Sequence, residues 1–248
     1  SAAHRDLHSF PTRRSSDLAV TGYTCADLFG QEELLRAADE GLRAFAAGTA
    51  GLAPLFVVGL PVAVGERLFN CAAVVCRGEI LGVVPKSYLP GYHEYYEPRW
   101  FAAGAEAGGT VRLADVPVPF GSDLLFRFDD PRGACVGVEV CEDLWAPIPP
   151  SSFLALDGAT VILNPSASND LVGKSEYRLQ LVRQQSGRCL AAYVYCSAGV
   201  GESTTDMVFG GDVVIAENGA IVARGERYLR TPQRVVAEIG RASCRERG

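Results

Sequence analysis

Apolar, β-rich runs recur along the chain, and the segments that join them limit the folds it can adopt. Phe69 to Cys76 is followed by the turn Arg77-Gly-Glu79 and then Ile80 to Pro85; Leu124 to Phe128 is joined to Ala134 to Val140 through Asp129-Asp-Pro-Arg-Gly133; Met207 to Ile215 meets Ala220 to Arg224 across Asn218-Gly219. Short connections of this composition make hairpins, and Asn-Gly is a particularly strong hairpin signal. Ala159 to Leu163 and Leu190 to Cys196 instead flank Ser175 to Arg188, an amphipathic helical stretch. A second helix is expected from Gln31 to Ala47, where Leu34, Leu35, Ala38, Leu42 and Phe45 share one face and Gly48 ends the pattern. Leu55 to Leu60 reads as a further buried strand. A purely parallel, doubly wound sheet would lack the hairpins. The expected class is therefore α/β, with mixed sheets stacked face to face and helices outside.

The two ends of the chain obey a different logic. Back-translating His8 to Leu18 with one permitted set of codons, then reading the complementary strand one frame over, yields Ile-Gly-Arg-Ala-Ser-Cys-Arg-Glu-Arg, the run found at 239–247. The DNA string resembles a common sequencing-library adapter, whose upstream bases extend the match to His4-Arg-Asp-Leu7. Residues 1–18 and 239–248 are accordingly expected to be adapter-derived rather than native, and 19–238 to form one domain cut at both ends.

A hydrophobic content of 48% is ample for one large core. The net charge of −6 argues against nucleic acid or an anionic membrane as partner, and the excluded ends carry more basic than acidic residues, so the remainder is more acidic still. Seven cysteines fall within 19–238, an odd and unclustered set that suggests reduced thiols and a cytoplasmic protein. No apolar run has the length of a membrane span.

Two scarcities narrow the chemistry. His93 is the only histidine between the excluded ends, so no Cys/His metal site is expected and any Cys–His or Ser–His–Asp unit would depend on that residue. Lys86 and Lys174 are the only lysines in a chain that otherwise uses arginine. A retained lysine hints at a task needing a compact ammonium, although a surviving surface lysine is the plain alternative. Cys141 ends a strand-like run just before Glu142-Asp143-Leu144-Trp145, where backbone N–H groups can lower a thiol pKa and bind an oxyanion; the plain alternative is a small apolar cap on a strand. Neither a dinucleotide-binding glycine pattern nor a P-loop is present.

A cysteine and a lysine at strand ends, with no histidine partner, resemble the nitrilase (carbon–nitrogen hydrolase) superfamily. Four ordered motifs narrow the likeness: Thr21-Gly-Tyr-Thr-Cys-Ala-Asp-Leu-Phe29, the long run from Pro85 to Phe101, Val138-Glu-Val-Cys-Glu-Asp-Leu-Trp145 and Asn164-Pro-Ser-Ala-Ser-Asn169. Together they resemble the glutaminase domains of glutamine-dependent NAD⁺ synthetases, over nearly all of Ala19 to Glu238. The resemblance implies a four-layer α-β-β-α sandwich, here without its first strand and helix, which would leave an exposed sheet edge and apolar surface. It implies a Glu–Lys–Cys triad and hydrolysis of the side-chain amide of L-glutamine through a thioester.

On this resemblance Cys141 is the nucleophile, and Lys86 stabilises the thiolate and the oxyanion together with the backbone N–H of Glu142. Glu94 matches the second glutamate that orients the lysine. Tyr92, Glu142, Ser168 and Lys174 fall where glutamine would be held, Lys174 standing where an arginine can occur, and Tyr23 would line the pocket near its entrance. Asp17 falls in the slot of the triad glutamate, one methylene short, so impaired catalysis is expected. No metal and no cofactor are implied for this domain. ATP and deamido-NAD⁺ belong to a C-terminal synthetase domain, the implied partner, whose Ser-Gly-Gly-x-Asp-Ser loop is absent from the sequence. Family members generally form homo-oligomers. The alternatives are a stand-alone nitrilase-type amidase, a non-catalytic scaffold of the same fold, and, last, a cysteine protease built on His93.

Overall fold

A computed structural model describes residues 16–105, 107–128, 133–202 and 206–240. Eleven strands in the described residues form two mixed sheets. The first contains β1 (Leu55–Val64), β2 (Arg67–Cys76), β3 (Glu79–Pro85), β4 (Gly108–Leu113) and β5 (Val116–Gly121), in the order β1-β2-β3-β5-β4. The second contains β6 (Leu125–Arg127), β7 (Cys135–Val138), β8 (Val161–Ser166), β9 (Ala192–Ser197), β10 (Val213–Glu217) and β11 (Ala220–Arg224), in the order β11-β10-β9-β8-β7-β6. The expected hairpins appear as antiparallel pairs β2/β3, β6/β7 and β10/β11, and the strand–helix–strand unit as the parallel pair β8/β9.

Period-two alternation explains why both sheets are buried on both faces. In β2, Cys71, Ala73 and Val75 point to a core shared with Leu42 and Ala46 of helix α1 (Glu32–Gly48), whereas Ala72 and Val74 point to Val136, Val138 and Val161 of the second sheet. In the second sheet, Ile162, Tyr193 and Val214 face Leu154 of α2 (Pro150–Leu156) and Val182 of α3 (Lys174–Cys189). The layers therefore run α1, first sheet, second sheet, α2 with α3. This is the expected α-β-β-α sandwich.

Three features were not expected from the sequence. Val116–Gly121 and Gly108–Leu113 form a β4/β5 hairpin, α2 covers β7, and the expected strand from Met207 begins only at Val213. Beside the edge strand β1, an apolar cavity of about 860 Å³ opens toward β8 and β9, lined by Phe45, Leu55, Phe56, Val57, Leu163 and Val194 among others. The carboxyl ends of β3, β7 and β8 meet elsewhere, and there the chemically distinctive residues gather.

Candidate active site

Lys86 follows the last residue of β3, with its N–H bonded to Asn70 O at 2.8 Å and its carbonyl accepting from Gly104 N at 2.8 Å. Gly104 has no alternative: a Cβ there would lie 2.5 Å from that of Pro85. The side chain is fully buried, with Nζ 3.0 Å from Asp17 Oδ2 and 2.5 Å from Glu97 Oε1. Burial is the largest influence on this ammonium and works against its charge, but Asp17, Cys141 and Glu97 together outweigh it and hold the group well above the ordinary lysine range. Tyr23 closes the arrangement from below. Its hydroxyl donates to Glu97 Oε1 at 2.6 Å and its ring lies 6.0 Å from Lys86 Nζ.

Asp17 reaches the lysine because the chain crosses β1 closely. Val20 N–H bonds to Gly59 O at 3.0 Å, and a Cβ on Gly59 would meet Leu18 N and Ser16 O at 2.5 Å. Asp17 and Leu18 are both completely buried, so the last residues of the segment expected to be adapter-derived are packed into the molecule. Residues 1–15 of that segment, and 241–248 at the other end, lie outside the described residues. Asp17 Oδ1 has no hydrogen-bond partner.

Cys141 opens a short 3₁₀ turn, Cys141–Trp145, just beyond β7, with φ of +48°. A non-glycine residue in the left-handed region is held there by its surroundings. Here its N–H donates to Asn164 Oδ1 at 3.1 Å; Asn164 Nδ2 donates to the Tyr193 hydroxyl at 2.9 Å, and that hydroxyl donates to the buried carboxylate of Glu139. The sequence led us to expect a thiol of lowered pKa. Instead burial pushes it up to about 12; Lys86 opposes the rise, and Asp17, Glu97 and Glu142 add to it. The resting sulfur is a thiol, so an attack by it needs a base to take the proton.

The structure corrects two positions. Glu97, not Glu94, pairs with Lys86, because Pro98 opens a 3₁₀ turn at Glu97–Arg99 that turns Glu97 inward, while Glu94 bonds to Asn169 Nδ2. Tyr23 is 7% exposed and lies beneath the lysine rather than at an entrance. The other expected residues form a rim. The Tyr92 hydroxyl is 2.9 and 3.1 Å from the two oxygens of Glu142, whose carboxyl is raised by burial and lowered by Tyr92, Lys86 and Lys174. Lys174 begins α3, donates to Asn169 Oδ1 and lies 5.5 Å from the Tyr95 ring and 5.2 Å from that of Trp145; burial lowers its pKa. Ser168 is buried, its Oγ accepting from Arg178 Nη2 at 3.2 Å and its N–H donating to Ser197 Oγ at 3.2 Å. His93, on which the protease alternative depends, packs edge-on against the Tyr92 ring. Asn169, Tyr95 and Arg178 were not singled out from sequence. Asn169 closes the quoted run Asn164–Asn169, so that motif marked the place without marking the contact.

Among the described residues no group of three or more His, Cys, Asp or Glu side chains is placed to hold a metal ion, and no helix is long and apolar enough to cross a membrane. The groups present suit nucleophilic attack on a carbonyl: a thiol under the electrostatic influence of an ammonium, and carboxylates paired with that ammonium.

Known proteins similar in sequence and fold identify the family. The glutamine-dependent NAD(+) synthetase of Mycobacterium tuberculosis is 46% identical over 223 residues, and that of Arabidopsis thaliana 29% over 238 residues. These matches cover 90% and 92% of this chain but only 33% and 32% of the relatives, so the chain spans about a third of their length. The crystal structure of a glutamine-dependent NAD(+) synthetase from Cytophaga hutchinsonii superposes with a TM-score of 0.80 at 32% identity, over 90% of this chain and 36% of that one. An amidase of the nitrilase superfamily from Nesterenkonia shares the fold, with a TM-score of 0.67 at 20% identity over 90% of this chain and 75% of its own. The carbon-nitrogen hydrolase family model matches residues 16–247, and the chain belongs to that family.

Proposed function

We propose that this chain is the glutaminase part of a glutamine-dependent NAD⁺ synthetase, and that Cys141 opens the side-chain amide of L-glutamine. The observation that carries the proposal is a buried ammonium, Lys86, clasped by Asp17 and Glu97 and acting electrostatically on the Cys141 thiol. As the sulfur attacks the amide carbon, its proton passes to the carboxylate of Asp17. The tetrahedral oxyanion is held by Lys86 and the Glu142 N–H, since the Cys141 N–H is already committed to Asn164. Asp17 returns the proton to the departing nitrogen, leaving a γ-glutamyl thioester and ammonia. Water then attacks the thioester, Asp17 takes its proton, and glutamate leaves as the thiol is restored.

The rim suits a zwitterion. Glu142, steadied by Tyr92, faces the α-ammonium of glutamine, and Lys174 faces its α-carboxylate; Ser168 and Asn169 shape the floor between them. Ammonia formed here would serve a synthetase domain that amidates deamido-NAD⁺ with ATP, consistent with relatives about three times as long. Cys25, Cys71, Cys76, Cys135 and Cys141 are thiols, which suits a reducing compartment such as the cytoplasm, and the assembly is proposed to be a homo-oligomer. Ammonia release from glutamine tests the reading: purified chain should produce it at a low rate, and Cys141→Ala should abolish it. Equal release by both proteins would refute the proposal.

A further inference from the structure

Asp143 is 1% exposed, and its hydrogen-bond partners among the described residues are main-chain N–H groups rather than a cation. Its carboxylate is satisfied by the main chain alone. Oδ1 accepts from Ser87 N at 3.0 Å and Tyr88 N at 2.9 Å, and Oδ2 accepts from Val140 N at 2.9 Å. These donors belong to different layers of the sandwich. Ser87 and Tyr88 follow Lys86 at the end of β3 in the first sheet, and Val140 precedes Cys141 beyond β7 in the second. A buried carboxylate is costly unless its oxygens are bonded, and burial, with Glu139 nearby, disfavours the charge here. Hydrophobic contact would hold the sheets together without it, as Val74, Val84 and Val136 already do. What packing alone does not set is the spacing between two particular loop ends.

We infer that Asp143 is a positioning residue: one carboxylate ties the backbone after Lys86 to the backbone before Cys141, fixing the ammonium relative to the sulfur. The inference deepens the proposed function, because it takes Cys141 and Lys86 as the working pair. The same tie steadies the start of the loop that carries Tyr92, Glu94 and Glu97. Asparagine cannot replace the carboxylate. Its amide offers one acceptor oxygen, so either Val140 N–H or the Ser87 and Tyr88 N–H groups would face an NH₂ donor.

The test is the rate at which iodoacetamide alkylates Cys141 in the folded chain, with half-buried Cys76 as internal reference. The thiol is flanked by Lys86, Asp17, Glu97 and Glu142, and only the first of these favours the thiolate. Two roles for Asp143 predict opposite signs. If the residue merely stabilises the fold, Asp143→Asn loosens the region, exposes a buried thiol and speeds its alkylation. If it positions Cys141 against Lys86, the substitution slows alkylation by about 100-fold, the cost of displacements near 1 Å, and leaves Cys76 unchanged. A faster or unaltered Cys141 rate overturns the inference. Should Asp143→Asn yield no folded protein, amide exchange in the unaltered chain decides: slow exchange at Ser87, Tyr88 and Val140 supports the clamp, and fast exchange at Ser87 and Tyr88 overturns it. A Cys141 that reacts with iodoacetamide in an Asp143-dependent way, yet ignores a diazoketone analogue of glutamine, would keep the clamp and refute the glutaminase reading.

Discussion

At the scale of single residues, the site works by opposing burial with charge. Cys141 and Lys86 are both driven toward their neutral forms by burial; only the lysine has enough opposite charge around it to resist. In the proposed mechanism, a thiol that starts protonated makes the carboxylate at position 17 decisive. Asp17 spans the 3.0 Å to Lys86 but leaves its other oxygen without a partner. Glutamate carries one more methylene, enough to keep the lysine contact and extend toward the sulfur. Asp17→Glu should raise ammonia release by about 100-fold, the cost commonly attached to misplacement of a catalytic group by about 1 Å; a fall or no change would show that Asp17 is not the base. The Cys–Lys pair was legible in the sequence because Lys86 was one of only two lysines and both residues lay at the ends of strand-like runs. The choice between Glu94 and Glu97 was not. They lie three residues apart in one loop, and only the 3₁₀ turn at Glu97–Arg99 decides which carboxylate turns inward. The direction of the thiol's shift was equally hidden, since backbone N–H groups were visible in the motif and the depth of burial was not.

At the scale of elements, strand ends bring the site together and a few close approaches set its tolerances. β3 delivers Lys86 from one sheet, β7 delivers Cys141 from the other, and β8 runs into Ala167, Ser168 and Asn169. The segment bearing Asp17 belongs to no strand, and it lies over β1 only because residue 59 has no side chain. Gly59→Ala should therefore destabilise the chain by about 1–3 kcal/mol, the usual cost of forcing a methyl into a packed region. It should also slow glutamine turnover, since Ser16 and Leu18 must shift and carry Asp17 with them. Denaturant unfolding and ammonia release measure the two effects; unchanged stability with unchanged turnover would contradict the packing. Helix and strand positions were readable from periodicity, as α1 shows, expected at 31–47 and found at Glu32–Gly48. The β4/β5 hairpin escaped notice because Pro117 and Pro119 interrupt the pattern; β4 covers one side of β5, whereas β3 meets it at a single register pair, Val83 with Phe120. Helix α2 is seven residues long, too short for its period to register.

At the scale of the whole molecule, two doubly buried sheets make a rigid frame in which residues distant in sequence meet between layers. Position 17, position 86 and position 141 are contributed by a crossing segment, the first sheet and the second, so the proposed catalytic group exists only when the sandwich is closed. That mutual dependence is why hairpins and helices could be read locally while the joining of their ends came from resemblance to a family. The apolar cavity beside β1 does not include Lys86 or Cys141 in its lining. Cavity size is therefore a poor guide to chemistry here. The most direct test of the account is to map where a diazoketone analogue of glutamine becomes attached. Exposure alone would favour the half-buried Cys25 and Cys76 over buried Cys141. The account predicts a single adduct on Cys141, suppressed by excess glutamine. Labelling at Cys25 or Cys76 with Cys141 unmodified would contradict it.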